Sequence, residues 1–222
     1  MARNLAITAV GLFTAATASA GVVDVTGGQT SVLLDTATLE AAASLELSSV
    51  SAEVIAPGAL GPDSVAFPIN SRSASSLPTT FSYDPDNFLT TFSGTIEHTG
   101  VVRFNADSVE VGNFTIGYDA ARAGTLGGAA SGFFVQSTAG VAAILFDIEN
   151  PTTLEATDSN LNIAANLLVS PEFGQFLFDN AFSSSNLAGA DVGDALVNAI
   201  PAPGTLAVAG LGALALARRR RG

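Results

Sequence analysis

The sequence predicts an all-β fold: a β-sandwich of antiparallel sheets with one or two short helices, preceded by an N-terminal signal helix and followed by a C-terminal transmembrane helix. Three observations predict it. Apolar and polar residues alternate through most of the middle of the chain, with β-branched and aromatic side chains enriched. About ten such short runs are separated by Gly and Pro turns, the spacing of an antiparallel sandwich. The 222 residues contain no cysteine, so the core comes from apolar burial and not from disulfides. Burying one phenylalanine contributes roughly 1.5–3 kcal/mol, and all but one of the 14 phenylalanines lie between the two ends of the chain.

The chain opens with Met1, Ala2, Arg3 and Asn4, followed by an apolar run to about Ala16 and then by Ala18, Ser19 and Ala20. A charged start, a short apolar segment and small residues at −3 and −1 form a secretory signal peptide over residues 1–20. Signal peptidase would cut between Ala20 and Gly21.

In the body, residues 22–25 and 30–34 read as two strands around Gly27 and Gly28. Asp35 then caps a helix over residues 36–43, whose alanines favour that state. Residues 45–55 alternate as a strand. Residues 65–69 form a short strand that Pro68 confines to an edge. Residues 70–80 are a Ser/Thr-rich loop. Residues 88–98 alternate as a strand that turns at Thr99 and Gly100, with residues 101–105 as its antiparallel partner. Residues 109–111 and 114–118 read as a second hairpin across Gly112 and Asn113. Residues 120–131 are a small-residue loop. Residues 132–137 and 142–148 form a third strand pair around Gly140, and residues 161–169 a further strand. Ser170 and Pro171 then start a helix, with Phe173, Phe176 and Leu177 on one face. A last short helix is expected over residues 192–199, so that the β domain spans 21–199.

Residues 200–222 form a separate segment. Pro201, Ala202 and Pro203 precede GTLAVAGLGALALA at 204–217, which carries no charge and ends at Arg218, Arg219, Arg220 and Arg221. As a helix the apolar run would be about 21 Å long, against a hydrocarbon core of roughly 30 Å. Such a span is marginal and suits a transient stop in the inner membrane. The arginines hold that end in the cytoplasm and leave the body outside.

Pro-x-Pro, a short Gly/Leu/Ala span and a terminal arginine cluster resemble the PEP-CTERM sorting signal of Gram-negative-type bacteria. The usual triplet there is Pro-Glu-Pro, and Ala202 stands in the central place. The resemblance implies processing by an exosortase, a membrane transpeptidase-like cysteine enzyme, and an association with exopolysaccharide and surface or biofilm assembly. VAFPIN at 65–70, FSGTIEHTGVVRF at 92–104 and VEVGNFTI at 109–116 are similar to β-rich secreted bacterial domains of unassigned function. The His-Gly hairpin is more remotely similar to haem-binding surface domains.

Charge narrows the partners. All 8 basic residues are arginines and 20 residues are acidic, for a net charge of −12. Residues 21–200 hold 3 arginines and all 20 acids, hence a net charge of −17. A body this acidic repels phosphate backbones, so nucleic acid is excluded as a partner. The same surface attracts cations and stays soluble outside a cell.

The residues able to carry chemistry are few. His98, the single histidine, is by type a ligand or a general base, but its place at a hairpin end predicts a bond to turn backbone. No G-x-S-x-G elbow is present. Asp84, Asp86 and Asn87 cluster the oxygen atoms that calcium favours as ligands, and are equally ordinary turn residues. Paired carboxylates could serve a glycoside hydrolase or lyase, although 20 acids single out no pair. With no tryptophan, and only Tyr83 and Tyr118 as tyrosines, stacking on sugar rings is disfavoured. Gly27-Gly28 and Gly127-Gly128 lack the lysine of a phosphate loop. The expectation is therefore an exported, non-enzymatic surface or matrix protein that needs no cofactor. The alternative is an extracellular carbohydrate- or calcium-binding module. More distant readings are a glycoside hydrolase and a haem-binding domain using His98 or Tyr118.

Overall fold

The computed structural model describes residues 21–203. In chain order the strands are β1 (Val23–Leu34), β2 (Leu47–Val50), β3 (Val65–Pro68), β4 (Ser82–Tyr83), β5 (Ile96–Glu97), β6 (Val101–Phe104) and β7 (Val109–Gly112). They continue as β8 (Thr115–Tyr118), β9 (Ala130–Ser137), β10 (Ala139–Gly140), β11 (Ala143–Glu149), β12 (Thr153–Ala156), β13 (Leu161–Val169) and β14 (Asp191–Pro203). The helices are α1 (Thr36–Ala43), α2 (Phe88–Thr91) and α3 (Pro171–Asp179).

The described residues form two antiparallel sheets. The larger runs β3-β1-β14-β13-β11-β9-β8-β5, with β4 on the free edge of β1 and β12 on that of β13; the smaller runs β10-β7-β6-β2. Val102, Phe104 and Val111 of the small sheet and Val32, Leu145 and Leu167 of the large one line a common apolar interior, in which a cavity of about 90 Å³ remains. Leu39 of α1 and Phe173 of α3 also reach that cavity.

Local chemistry sets the helices. Asp35 caps α1, its carboxylate accepting the Thr38 N–H at 2.9 Å and held below the usual carboxylate range by the Thr38 bonds. Ser170 caps α3 in the same way, accepting the Phe173 N–H at 3.0 Å, with Pro171 in the first turn. Both helices begin where Asp or Ser capping predicts, α3 also at a helix-compatible proline. The 65–69 strand is β3, which lies at the end of the large sheet's path.

Four expectations are corrected. First, residues 23–34 are one strand and not two around a turn. The ladder with β14 shifts register between Val25 and Gly27, leaving Thr26 as an extra residue, a β-bulge. Gly28 has φ +116°, and a Cβ there would stand 2.2 Å from the Asn198 carbonyl oxygen. The glycine permits close contact between strands, not a reversal.

Second, residues 88–98 are not one strand: Phe88–Thr91 is helical and only Ile96–Glu97 is extended. The Phe88 and Phe92 rings lie 5.6 Å apart, the i, i+4 meeting of a helical turn, and Phe88 packs on Tyr83 at 5.3 Å. The alternating pattern is matched by a helical pattern at the same residues.

Third, the hairpins are partnered differently. β6 pairs with β7 and β2, whereas β5 pairs with β8. The chain thus changes sheets at Thr99-Gly100 and again at Asn113.

Fourth, residues 192–199 belong to a strand and not to a helix. Ala195, Val197 and Ala199 are buried, at a spacing of two, and β14 is hydrogen-bonded to β1 on one side and β13 on the other. Two neighbouring ladders outweigh the weak helical preference of a short Ala-containing run.

Candidate functional site

The sorting triplet lies within the large sheet. β14 continues to Pro203 and sets Pro201 opposite Val25, Ala202 opposite Asp24 and Pro203 opposite Val23. Pairs in an antiparallel ladder alternate between mutually bonded and non-bonded. Proline has no N–H, and the Val25 N–H donates instead to the Phe81 carbonyl on the far side, at 2.9 Å. The bonded pair is therefore Asp24 with Ala202. Thr26, the bulged residue, donates its hydroxyl to the Ile200 carbonyl at 3.0 Å. Pairing with β13 ends at Ala199, so residues 200–203 are held along one edge only, by β1. Pro201 is buried, Ile200 exposed and Ala202 half-buried; Val25 and Val23, the ladder partners of Pro201 and Pro203, are buried.

Asp24 forms an ion pair with Arg72 at 3.5 Å, and Arg72 also donates to the Phe81 carbonyl at 3.1 Å. A glutamate at 202 would bring a second carboxylate directly opposite Asp24, a destabilising cross-strand pair. Alanine avoids it.

His98 sits where the chain passes between sheets. Its backbone N–H and its Nδ1 both reach the Phe114 carbonyl, at 2.9 and 3.0 Å, and its Nε2 lies 2.7 Å from the Thr30 hydroxyl. A carbonyl only accepts, so Nδ1 carries the proton and the Thr30 hydroxyl donates to Nε2. Burial lowers the imidazole to about 4, against the opposing effect of the Phe114 bond. Both ring nitrogens of this neutral histidine are engaged in holding β1 and the two crossings together. The turn backbone at Thr99-Gly100 is not what the ring binds: it reaches one backbone carbonyl beside β8, that of Phe114, and one side chain, that of Thr30 on β1.

Asp84 caps a 3-10 turn, Pro85–Asn87, by accepting the Asp86 N–H at 2.9 Å. The Asn87 carbonyl accepts the Thr91 hydroxyl at 2.9 Å. Among the described residues, no three His, Cys, Asp or Glu side chains come together in a metal-binding group. Tyr118 is 42% exposed and stands edge-on to Phe92 and Phe133 at 4.9 and 5.1 Å. Tyr83 is fully buried; its hydroxyl donates to the Thr157 carbonyl at 2.8 Å, and burial pushes its ionisation up to about 12.

Sequence reading gave no sign of the charged cluster around Arg122. Its guanidinium donates to both oxygens of Asp147, at 2.6 and 2.9 Å, and to both of Glu172, at 2.7 and 2.9 Å. The side chain of Asp147 is 1% exposed and that of Glu172 45%. These bonds hold the Glu172 carboxyl below the ordinary carboxylate range and raise the guanidinium. The cluster ties the 119–129 loop to β11 and to the first turn of α3. The one available signal was an arginine in a loop of small residues, in a body with only three.

Gly21, at the expected signal cut, is exposed; Ala18, Ala20, the 204–217 run and Arg218, Arg219, Arg220 and Arg221 lie outside the described residues. Among those described, no helix is long and apolar enough to cross a membrane.

An acidic β-rich body whose last strand runs directly into a Pro-x-Pro triplet, an apolar run and an arginine cluster defines an exported protein carrying its own sorting address. Residues 199–221 match the PEP-CTERM protein-sorting motif. The chain is accordingly a substrate for exosortase recognition and a secreted, cell-surface protein sorted through the membrane. No curated protein matches it. Its fold is similar to that of the C-terminal domain of HtaA from Corynebacterium glutamicum, with a TM-score of 0.51 and 14% identity over 81% of this chain and 99% of that domain.

Proposed function

We propose that this chain is a non-enzymatic component of the cell surface or extracellular matrix, delivered by exosortase cleavage near Pro201–Pro203 and deployed alongside exopolysaccharide. The sorting motif at 199–221 carries the reading. A net charge of −17 over residues 21–200 suits a body that stays hydrated and attracts cations outside the cell. Several reactive groups have structural duties, which supports the reading: His98 bonds Thr30 and Phe114, Asp147 and Glu172 hold Arg122, and Asp84 caps a turn. On this reading the 204–217 run holds the precursor in the inner membrane until the enzyme releases it.

Cell fractionation followed by mass spectrometry of the mature termini tests the proposal. A surface or medium fraction beginning at Gly21 and lacking the arginine cluster is expected. An intact chain confined to the cytoplasm would overturn it.

A further inference from the structure

We propose that the first strand of the mature chain covers the sorting triplet, and that the exosortase reads Pro201–Pro203 only once this strip has peeled away from Val23–Val25. The inference deepens the sorting reading above and rests on it. Residues 191–199 are held on both sides, by β1 and β13, whereas residues 200–203 are held by β1 alone. The bulge at Thr26 separates the last three rungs from the continuous register of the rest of the ladder. The strip is thus marked off as a unit that can open without disturbing the sheet.

Its chemistry makes opening necessary. In an antiparallel strand the N–H and C=O of one residue point to the same side. With Ala202 bonded to Asp24, positions 201 and 203 direct their backbone to the outer edge, where the prolines supply carbonyls and no N–H. A protease that binds its substrate as an added strand needs main-chain donors as well as acceptors. The N–H inside the triplet belongs to Ala202 and is engaged with Asp24. In the sequence Gly204, the first residue of the apolar run, follows Pro203 directly, so the paired strip and the rest of the sorting motif are contiguous. The pairing also brings the ends of the mature chain together, so the signal-peptide junction and the tail leave the domain at one pole.

A reversible lock tests this in cells that carry the exosortase. The chain has no cysteine, and a mutually bonded antiparallel pair has Cα atoms about 5.5 Å apart, within disulfide range. Asp24→Cys combined with Ala202→Cys, oxidised in the periplasm, should accumulate uncut precursor at least tenfold over either single variant, and a permeant reductant should restore cutting. Asp24→Pro removes the residue-24 N–H that bonds Ala202, along with the Arg72 ion pair, without changing the triplet, and should speed cutting several-fold; Asp24→Asn, which loses the ion pair alone, should cut at the wild-type rate. Cutting of the disulfide-locked double variant at the rate of the Ala202→Cys single would overturn the inference. If Ala202→Cys by itself stops cutting, Asp24→Pro decides: a rate equal to wild type refutes the cover, a faster one supports it. Wild-type precursor left uncut would instead refute the sorting reading itself.

Discussion

Thr30 and His98, 68 residues apart in sequence, meet hydroxyl to Nε2 at 2.7 Å inside the molecule. Thr30 is on β1, which pairs along its length with the last strand; His98 is at the point where the chain leaves the large sheet for the small one. The bond therefore joins the central ladder to the seam between sheets.

This histidine makes stability depend on pH. Its folded value of about 4 lies below the ordinary 6.5, so between those values the unfolded chain binds the proton that the folded one refuses. Its contribution is complete above pH 6.5 and lost as pH falls toward 4. A shift of this size corresponds to about 3 kcal/mol. Denaturant melts of wild type and His98→Gln at pH 7 and pH 4 should show the stability gap shrinking by up to that amount. Subtracting one protein from the other removes the background of titrating carboxylates. A gap independent of pH would contradict the assignment.

Arg122 should behave as the partner of one buried and one wet carboxylate. Arg122→Ala strips the buried Asp147 carboxyl of its guanidinium partner and should cost about 3–5 kcal/mol. Glu172→Gln, on the exposed side, should cost under about 1 kcal/mol. Arg122→Met with Asp147→Leu should recover most of the loss, because neither charge is then stranded. Chemical denaturation of the three variants distinguishes this from a network in which both acids matter equally.

Ser170 is fully buried and does two things: it caps α3 and donates to the Ile144 carbonyl at 2.7 Å. Ser170→Ala should cost toward the upper end of about 0.5–2 kcal/mol. Ser170→Asp preserves the cap acceptor but removes the donor, and should not rescue it. Equal stability of Ser170→Asp and wild type would mean that the Ile144 bond contributes nothing.

Adjacent glycines in β1 should respond differently. Gly27→Ala places its methyl in open space and should change stability by no more than about 0.5 kcal/mol. Gly28→Ala brings a Cβ to 2.2 Å from the Asn198 oxygen at φ +116° and should cost about 1–3 kcal/mol from backbone strain alone, with the clash added. Thermal melts of the pair measure the difference.

Local grammar was legible wherever one element answers to its own residues. Asp35 and Ser170 announce α1 and α3 because a cap acts over three residues. The span of β13, at 161–169, and the pairing of β9 with β11 follow from runs with no competing pattern. Phe88 and Phe92 suited a strand face and a helical turn equally, and contacts with Phe81 and Tyr83 settled the matter. The 192–199 run contained nothing to set it between two strands more than twenty residues away. The Arg122 cluster draws on positions 122, 147 and 172, and no spacing in the chain announces such a meeting.

The linear chain determined the destination of this protein, because its sorting motif is read as a contiguous stretch: Pro-Ala-Pro, an apolar run and arginines over residues 199–221. It also determined the β-rich character, through alternation, and the acidic surface, through composition. Only the tertiary structure decided that the triplet is paired with Asp24 and its neighbours, that His98 is a sealed neutral joint, and that the hairpins are divided between two sheets. Those outcomes depend on which strand edges meet, and strand pairing is a competition among distant partners that no local window contains.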